Sequence, residues 1–165
     1  MMNGFATDLN VYRVMAHHPS LLLAWEQLRN HVVKANSLPN RELEIVILRT
    51  GFRLNASYEW AHHVVRGRTA GLSDHEIAQC RLEPSQVFDA RQALLVKAVD
   101  ELIEASRLSI DIATKLHESF GKAALFDLIA TVGMYTTLAF VVNSFNTPVD
   151  DNIRAALAAQ PLDAG

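Results

Sequence analysis

Apolar residues recur at a helical period along most of the chain, whereas the strict alternation typical of half-buried strands is nearly absent. Leu21, Trp25 and Leu28 lie four and three positions apart, and this spacing predicts a first long helix. Residues 45–48 read Ile-Val-Ile-Leu, a run that is apolar on every side and indicates a helix buried all round. A buried strand would show the same run, but helical flanks and a lack of turn signals favour the helix.

Capping residues and glycines divide this pattern into separate helices. Asn40 and Ser57 are predicted to cap the second and third helices, and Gly71 is a natural left-handed terminator for the third. Ser73 followed by Glu76 is a capping box for a short fourth helix. Later apolar periods predict a short amphipathic tail and three further helices, at 86–105, 109–121 and 122–143. The chain is therefore predicted to be all-α, a bundle of about seven helices.

Composition and charge exclude several classes of protein. The chain has 165 residues, half of them apolar, and no linker-like tract divides it, so residues 1–165 are expected to form one domain. The net charge is −3, and the sequence has no basic run or Arg-rich face, so no nucleic-acid partner is expected. The apolar segment 128–142 is shorter than the roughly 20 residues that cross a bilayer, so no membrane span is expected.

Cysteine usage and the first residues bear on where the protein works. Cys80 is the one cysteine of the chain and cannot form an internal disulfide. The amino-terminal segment lacks the basic region and apolar core of a secretory signal. We therefore expect a cytoplasmic protein.

A carboxylate and two imidazoles crowd the start of the predicted third helix. Glu59 and His63 are four residues apart, so they share one helix face and can touch. The helix dipole after Ser57 favours the ionised form of Glu59, which would in turn favour the protonated form of His63. A solvated Glu–His pair without function explains the spacing equally well. His62 points about 100° away from His63, so one of the two is expected to face elsewhere, and the pairing with Glu59 favours His63.

Glu44 lies along the most apolar helix, where an unpaired charge is costly. Arg41 or Arg49 is a possible structural partner for it. The functional alternative is a buried acid with a raised pKa that faces the predicted third helix. Glu44 and Glu59, in environments that separate their pKa values, would then form a general acid–base set with His63.

Two segments carry a resemblance to a known family: RELEIVILRTGFRLNASYEWAHHVVRGRTAGLSDHEI and, much later, GMYTTLAFVVNSFNTPVDD. They resemble the carboxymuconolactone decarboxylase family, which shares its fold with alkylhydroperoxidase D, over about residues 20–150. The peroxidase branch has an upstream Glu and then Cys-x-x-Cys-x-x-x-His, and these positions fall on Glu44, Ala56, Glu59 and His63. Because both thiols are absent, disulfide redox chemistry is not available at this site. The pattern is similar to the thiol-free, decarboxylase-like branch.

The resemblance implies a lyase of aromatic catabolism that acts on a small carboxylated lactone or keto acid. Such a substrate carries its own electron sink, so no cofactor and no metal is expected, and the protein need only bind, desolvate and supply a proton. Arg49 or Arg53 is predicted to hold the substrate carboxylate, unless they are surface residues or partners of Glu44. Tyr58 and His62 are predicted to line the pocket. The resemblance and the long apolar helices imply a homotrimer or hexamer.

Three alternatives remain open at this point. A non-catalytic oligomeric or ligand-binding protein on the same fold is the serious rival, because a fold does not determine function. A metal site built from Glu44, Glu59, His62 and His63 would need adjacent histidines to converge, which helical geometry disfavours. A thiol peroxidase that uses Cys80 alone is weaker, since a lone cysteine on a short helix is usually structural. A solvent-filled pocket between Glu44, Glu59 and His63 would favour an enzyme.

Overall fold

A computed structural model describes residues 8–87 and 89–162, and these residues form eight α-helices and no strand. The predicted all-α class is confirmed. In chain order the helices are α1 (Asn10–Met15), α2 (Pro19–Lys34), α3 (Asn40–Arg53), α4 (Ser57–Thr69), α5 (Asp74–Gln79), α6 (Ala90–Ala105), α7 (Ile110–Ser144) and α8 (Asp151–Ala159). Residues 1–7, part of the segment considered for a secretory signal, and Phe88, within the predicted helix 86–105, lie outside the described residues.

The central helix of the bundle is α3, which packs against α4, α6 and α7. Residues 45–48 form its middle, and none of their side chains is more than 2% exposed. The prediction of a helix rather than a strand is therefore confirmed. A helix that is apolar on every side is stable only where neighbours cover each face, and the three contacting helices meet that requirement.

Two of the predicted caps are wrong, and one is confirmed. Asn40 and Ser57 are the first residues of their helices, and the N-cap positions belong to Pro39 and Ala56, neither of which makes a side-chain cap. The capping box that begins at Ser73 forms as predicted. The free N–H groups at the start of α4 therefore receive no help from a local side chain.

The break predicted between 109–121 and 122–143 is a kink within one helix. At Gly121 the backbone has φ of 86° and ψ of 168°, so α7 changes direction there although it continues on both sides. This region of backbone conformation is accessible almost only to glycine. The carboxyl-terminal part of α7 then runs beside α3 and brings Tyr135 to the interior.

Helix α7 is apolar along surfaces that are exposed as well as along those that are buried. Among the described residues, α7 is the one helix long and apolar enough to cross a membrane, with a mean hydropathy of 1.8 over 18 residues, half of them buried. Core helices of soluble proteins pass the same test. Phe126, Ile129 and Phe140 are exposed and lie at helical spacing, so they form one apolar face, which we call the α7 face.

Asp150, directly before α8, joins both ends of the described chain to α4. Its Oδ1 accepts a hydrogen bond from the Asn10 N–H (3.0 Å), and its Oδ2 accepts one from the Tyr58 hydroxyl (2.5 Å). The Tyr58 oxygen also accepts from the Val11 N–H (3.3 Å). This buried network packs α1 over the first turns of α4 and removes those turns from water.

The kink yields a stability prediction. Gly121→Ala should lower the free energy of unfolding by about 1–3 kcal/mol, because a Cβ forces the backbone out of its glycine conformation. Gly133→Ala is the matched control, since a Cβ meets nothing within 4 Å at either position and Gly133 is helical. The control should raise the free energy of unfolding by up to about 1 kcal/mol. Urea unfolding followed by circular dichroism measures both, and equal effects would contradict the assignment of strain to Gly121.

Candidate active site

Glu44 on α3 and His63 on α4 form a short hydrogen bond at the centre of the site. The Nδ1 atom of His63 lies 2.6 Å from Oε2 of Glu44, and Nδ1–H is the donor when the carboxylate is ionised. The His63 side chain is 2% exposed and that of Glu44 is 13% exposed. The prediction that Arg41 or Arg49 pairs with Glu44 is wrong, because these arginines bind Glu76 and Asp100 instead.

Glu59 lies on the opposite edge of the same imidazole. Its Oε2 is 3.7 Å from Nε2 of His63, and its Oε1 is buried without a hydrogen-bond partner among the described residues. Burial raises the pKa of Glu59, although the charges of His63 and Arg66 oppose the shift. The expectation that the helix dipole favours the ionised form of Glu59 is therefore wrong in direction, because the net shift of its pKa is upward. A helix dipole contributes about 0.3–1 kcal/mol, whereas an uncompensated buried charge costs several.

The two glutamates consequently exchange their predicted roles. Glu44 was expected to be the buried acid and Glu59 the ionised group. In the fold, Glu44 lines a cavity and is hydrogen-bonded to His63, while Glu59 is the enclosed acid whose protonated form is favoured. The imidazole of His63 lies between them, so the three predicted catalytic residues do come together.

None of the cavities found among the described residues is lined by Glu44, Glu59 and His63 together, the arrangement that would have favoured an enzyme; two adjoining cavities divide these residues between them. The larger, about 380 Å³, lies between α2, α3, α4 and α7, and Glu44 is on its wall. The smaller, about 20 Å³, is enclosed by Glu59 and His63 among others, which is room for about one water molecule. Tyr135 and Arg66 line both cavities and separate them. A cavity of the larger size accommodates a small organic substrate.

Tyr135 is the part of α7 that completes the site. Its ring stands edge-on to the His63 imidazole, with centroids 5.1 Å apart and planes at 86°. Burial raises the pKa of the Tyr135 hydroxyl well above its ordinary value, so the hydroxyl stays protonated. The ring restricts His63 to the orientation in which it faces both glutamates.

His62 and Tyr58 face the small cavity from the side of Asp150. The two rings are stacked with centroids 4.3 Å apart, and Nε2 of His62 is 3.0 Å from the Asp150 carboxylate. Burial lowers the pKa of His62 to about 4 in spite of Asp150, so the ring is neutral at physiological pH. Both residues line the small cavity, which is too small for a substrate, and neither lines the larger one, so their predicted contact with a substrate stays a prediction.

Arg49 and Arg53, predicted to hold the substrate, are engaged elsewhere. Arg49 is 1% exposed, and its Nε and Nη2 donate to the two oxygens of Asp100 at 2.7 and 2.6 Å. Arg53 pairs with Asp100 and with Glu104. Both guanidinium groups therefore join α3 to α6 and do not line either cavity of the site.

The two remaining alternatives, a thiol peroxidase that uses Cys80 and a metal site, can be compared with the fold. Cys80 is fully buried, and burial raises the pKa of its thiol to about 12, which keeps it out of the reactive thiolate form. Within residues 8–87 and 89–162, no group of three or more His, Cys, Asp or Glu side chains is arranged to hold a metal ion.

Sequence reasoning missed three residues that shape the site. Asp150 and Tyr135 are far along the chain from α4, and nothing local to them indicates a role. Arg66 follows His63 by three positions, which places it on the same helix face, so its spacing was a usable signal.

Comparison with known protein families gives a match that begins with α2 and extends almost to the end of α6. The model of the carboxymuconolactone decarboxylase family matches residues 19–104, more than half of the chain. No curated protein and no solved structure matches the chain significantly. The matched region contains Glu44, Glu59 and His63 and ends before α7, which supplies Tyr135.

The buried neutral His62 predicts a loss of stability in acid. Its pKa is about 4 in the fold and near 6.5 when unfolded, so the unfolded chain binds this proton first as the pH falls. The contribution of neutral His62 to the free energy of unfolding is complete above pH 6.5 and is lost between pH 6.5 and about 4. Over that range the free energy of unfolding falls by up to about 1.4 kcal/mol per pH unit. The difference in unfolding free energy between the native protein and His62→Gln should therefore shrink from pH 7 to pH 4.5. In the exposed control His117→Gln the difference should stay constant.

Proposed function

This chain belongs to the carboxymuconolactone decarboxylase family, and from that membership we propose that it is a cofactor-free acid–base enzyme that decarboxylates a small carboxylated lactone or keto acid. One observation carries the proposal. Glu44 on the wall of the larger cavity is joined by a 2.6 Å hydrogen bond to His63, whose other nitrogen faces the buried Glu59. A carboxyl group that a substrate can reach is thereby linked to an enclosed acid whose pKa is raised.

The proposed reaction needs one proton and no external electron acceptor. The bond between the substrate carbon and its carboxylate breaks, carbon dioxide leaves, and the electron pair moves into the conjugated carbonyl as an enolate. A proton from the Glu44–His63 pair then adds to carbon, and solvent in the cavity replaces that proton. One carboxylate and one proton become carbon dioxide and a new C–H bond.

The two glutamates contribute differently to this step. Glu44 and His63 share a proton across a short hydrogen bond, so either can deliver it with little rearrangement. Glu59 lies beside Nε2, on the far side of the imidazole from Glu44, and burial raises the pKa of Glu59. Because burial raises the pKa of Glu59, this residue competes for the proton of His63 less than a solvent-exposed carboxylate would.

A peroxidase activity is the weaker alternative on the same fold. The two positions at which the peroxidase branch carries its thiols are Ala56 and Glu59. Cys80 remains a thiol, because burial raises its pKa to about 12. It lies at the end of α5, where it accepts a hydrogen bond from Gln92 of α6, and it does not line the larger cavity. No thiolate nucleophile is then available to attack a peroxide.

A non-catalytic ligand-binding protein is the serious rival. It would use the same cavity but would have no need of the Glu44–His63–Glu59 series, in which one carboxylate lies buried at a cost in stability. Functional sites are where proteins retain such arrangements. This is the reason for preferring the enzyme.

The assembly we propose is a homotrimer or a hexamer of the cytoplasm. Phe126, Ile129 and Phe140 of the α7 face are 61%, 42% and 59% exposed. A second copy of the chain that covers this face would remove a contiguous apolar stripe from water. Placement in aromatic catabolism belongs to the same proposal and follows from the family alone.

The acid–base proposal predicts the effect of charge removal. Glu44→Gln should lower kcat/KM by about a hundredfold or more, since a positioned acid–base group contributes that much. Glu59→Gln should cause a smaller loss and shift the pH profile of activity. Glu104→Gln, which removes an exposed partner of Arg53 on α6, is the control and should leave turnover unchanged.

Release of carbon dioxide from a panel of small carboxylated lactones and keto acids measures these effects. A thermal melt of each variant separates loss of activity from loss of fold. Unchanged turnover in both Glu44→Gln and His63→Ala would end the acid–base proposal.

The assembly proposal predicts the mass in solution. Light scattering should give about three or six times the chain mass of 18.3 kDa at micromolar concentration. Replacing Phe126 and Phe140 together by Glu should reduce that mass, because the charges would have to be buried. A mass of one chain for the unaltered protein would refute the proposal.

A further inference from the structure

Arg66 is the cation of the site whose charge the fold leaves unmatched. Among the described residues it donates no hydrogen bond and forms no ion pair, although it is partly buried. Its neighbour Arg68, two positions along α4, makes a two-pronged pair with Asp74. Arg49 is likewise saturated by Asp100. The donors of the Arg66 guanidinium are therefore left for solvent or for a ligand.

The position of Arg66 on α4 directs it to the larger cavity. It follows His63 by three residues, so it lies one turn further on the same face. It lines the 380 Å³ cavity together with Glu44, and it also borders the small cavity that holds Glu59. Any molecule in the larger cavity that reaches Glu44 is therefore beside Arg66 as well.

The other walls of the cavity define what kind of molecule fits. Arg29 of α2 contributes a second guanidinium, held by a hydrogen bond from its Nη1 to Asn30 Oδ1 (2.9 Å). Leu43, Ile47 and the ring of Tyr135 supply an apolar surface. A ligand with a negatively charged end and a hydrocarbon body matches two cations beside an apolar wall.

The charge of Glu44 does not cancel this attraction. Glu44 supplies one carboxylate, hydrogen-bonded to His63, to a cavity that is lined by two guanidinium groups. Burial raises the pKa of Glu59 and so favours its neutral form. Two guanidinium groups then dominate the local field, and an organic anion is drawn in.

We infer that Arg66 is the anchor for a carboxylate of the ligand, the role that sequence reasoning gave to Arg49 or Arg53. The binding of a carboxylate by Arg66 does not depend on the proposed function. Only the statement that this ligand is the substrate rests on the proposed function. Within that reaction, Arg66 holds a second carboxylate of the substrate, one that stays on the product. A guanidinium bound to the departing carboxylate would stabilise the reactant more than the transition state and so oppose its loss.

Binding measured without turnover tests the anchor. Thermal shift assays with adipate, hexanoate and benzoate at millimolar concentration, and with 1,6-hexanediol as an uncharged comparison, use the full chain. At least one carboxylate should raise the melting temperature, and the diol should not. Arg66→Gln should weaken that binding by about tenfold or more, since a charge-assisted hydrogen bond is lost.

Two variants make the result specific to Arg66. Arg68→Gln removes a positive charge from the same helix outside the cavity and should keep the carboxylate response. Glu44→Gln removes a negative charge from the wall of the same cavity and should strengthen the carboxylate response, because less repulsion acts on the anion while the anchor is intact. An equal response in Arg66→Gln and the unaltered protein, or no response to any carboxylate in the unaltered protein, would overturn the inference.

The anchor and the proposed function can fail separately. Carboxylate binding that depends on Arg66, with no carbon dioxide released from any lactone or keto acid, would support the anchor and count against the decarboxylase. Once a substrate is identified, Arg66→Gln should raise KM far more than it lowers kcat. Turnover with an unchanged KM in that variant would support the enzyme and refute the anchor.

Discussion

The hydrogen bond between Glu44 and His63 is the contact on which the rest of the site depends, because it joins the central helix α3 to α4 where each would otherwise bury an unmatched polar group. A carboxylate on an otherwise apolar helix requires a partner, and the imidazole provides one at 2.6 Å. The same bond sets the ring plane so that Nε2 faces Glu59. One interaction thus gives the cavity carboxylate a hydrogen-bond donor and orients the ring toward the enclosed acid.

Desolvation is the force that distinguishes the two glutamates. Both belong to helices at the centre of the bundle, but α1 and the Tyr58–Asp150 network cover the start of α4 and exclude water around Glu59. Glu44 keeps access to the larger cavity. Equivalent side chains therefore acquire different chemistry, one able to exchange a proton with a ligand and the other held toward its neutral form.

The arginines of the bundle divide in the same way between structure and binding. On the α6 side of α3, Arg49 is enclosed and bound at both ends of its fork, which stabilises the packing of those helices. On the cavity side, Arg66 has no such acceptor within residues 8–87 and 89–162. A guanidinium that is saturated by the protein cannot also bind a ligand carboxylate, so the difference in partners decides which cation is available.

The sequence by itself determined the features that depend on local spacing: the all-α class, the break at Gly121, the capping box at Ser73, and the grouping of Glu59 with His63 four residues later. Only the tertiary structure decided which of these groups is buried and what each one pairs with. Asp100 lies 51 residues from Arg49, and Asp150 lies 92 residues from Tyr58, so no local pattern connects them. Protonation state and partner choice follow from desolvation and from contacts between distant segments, and these quantities do not exist until the chain has folded.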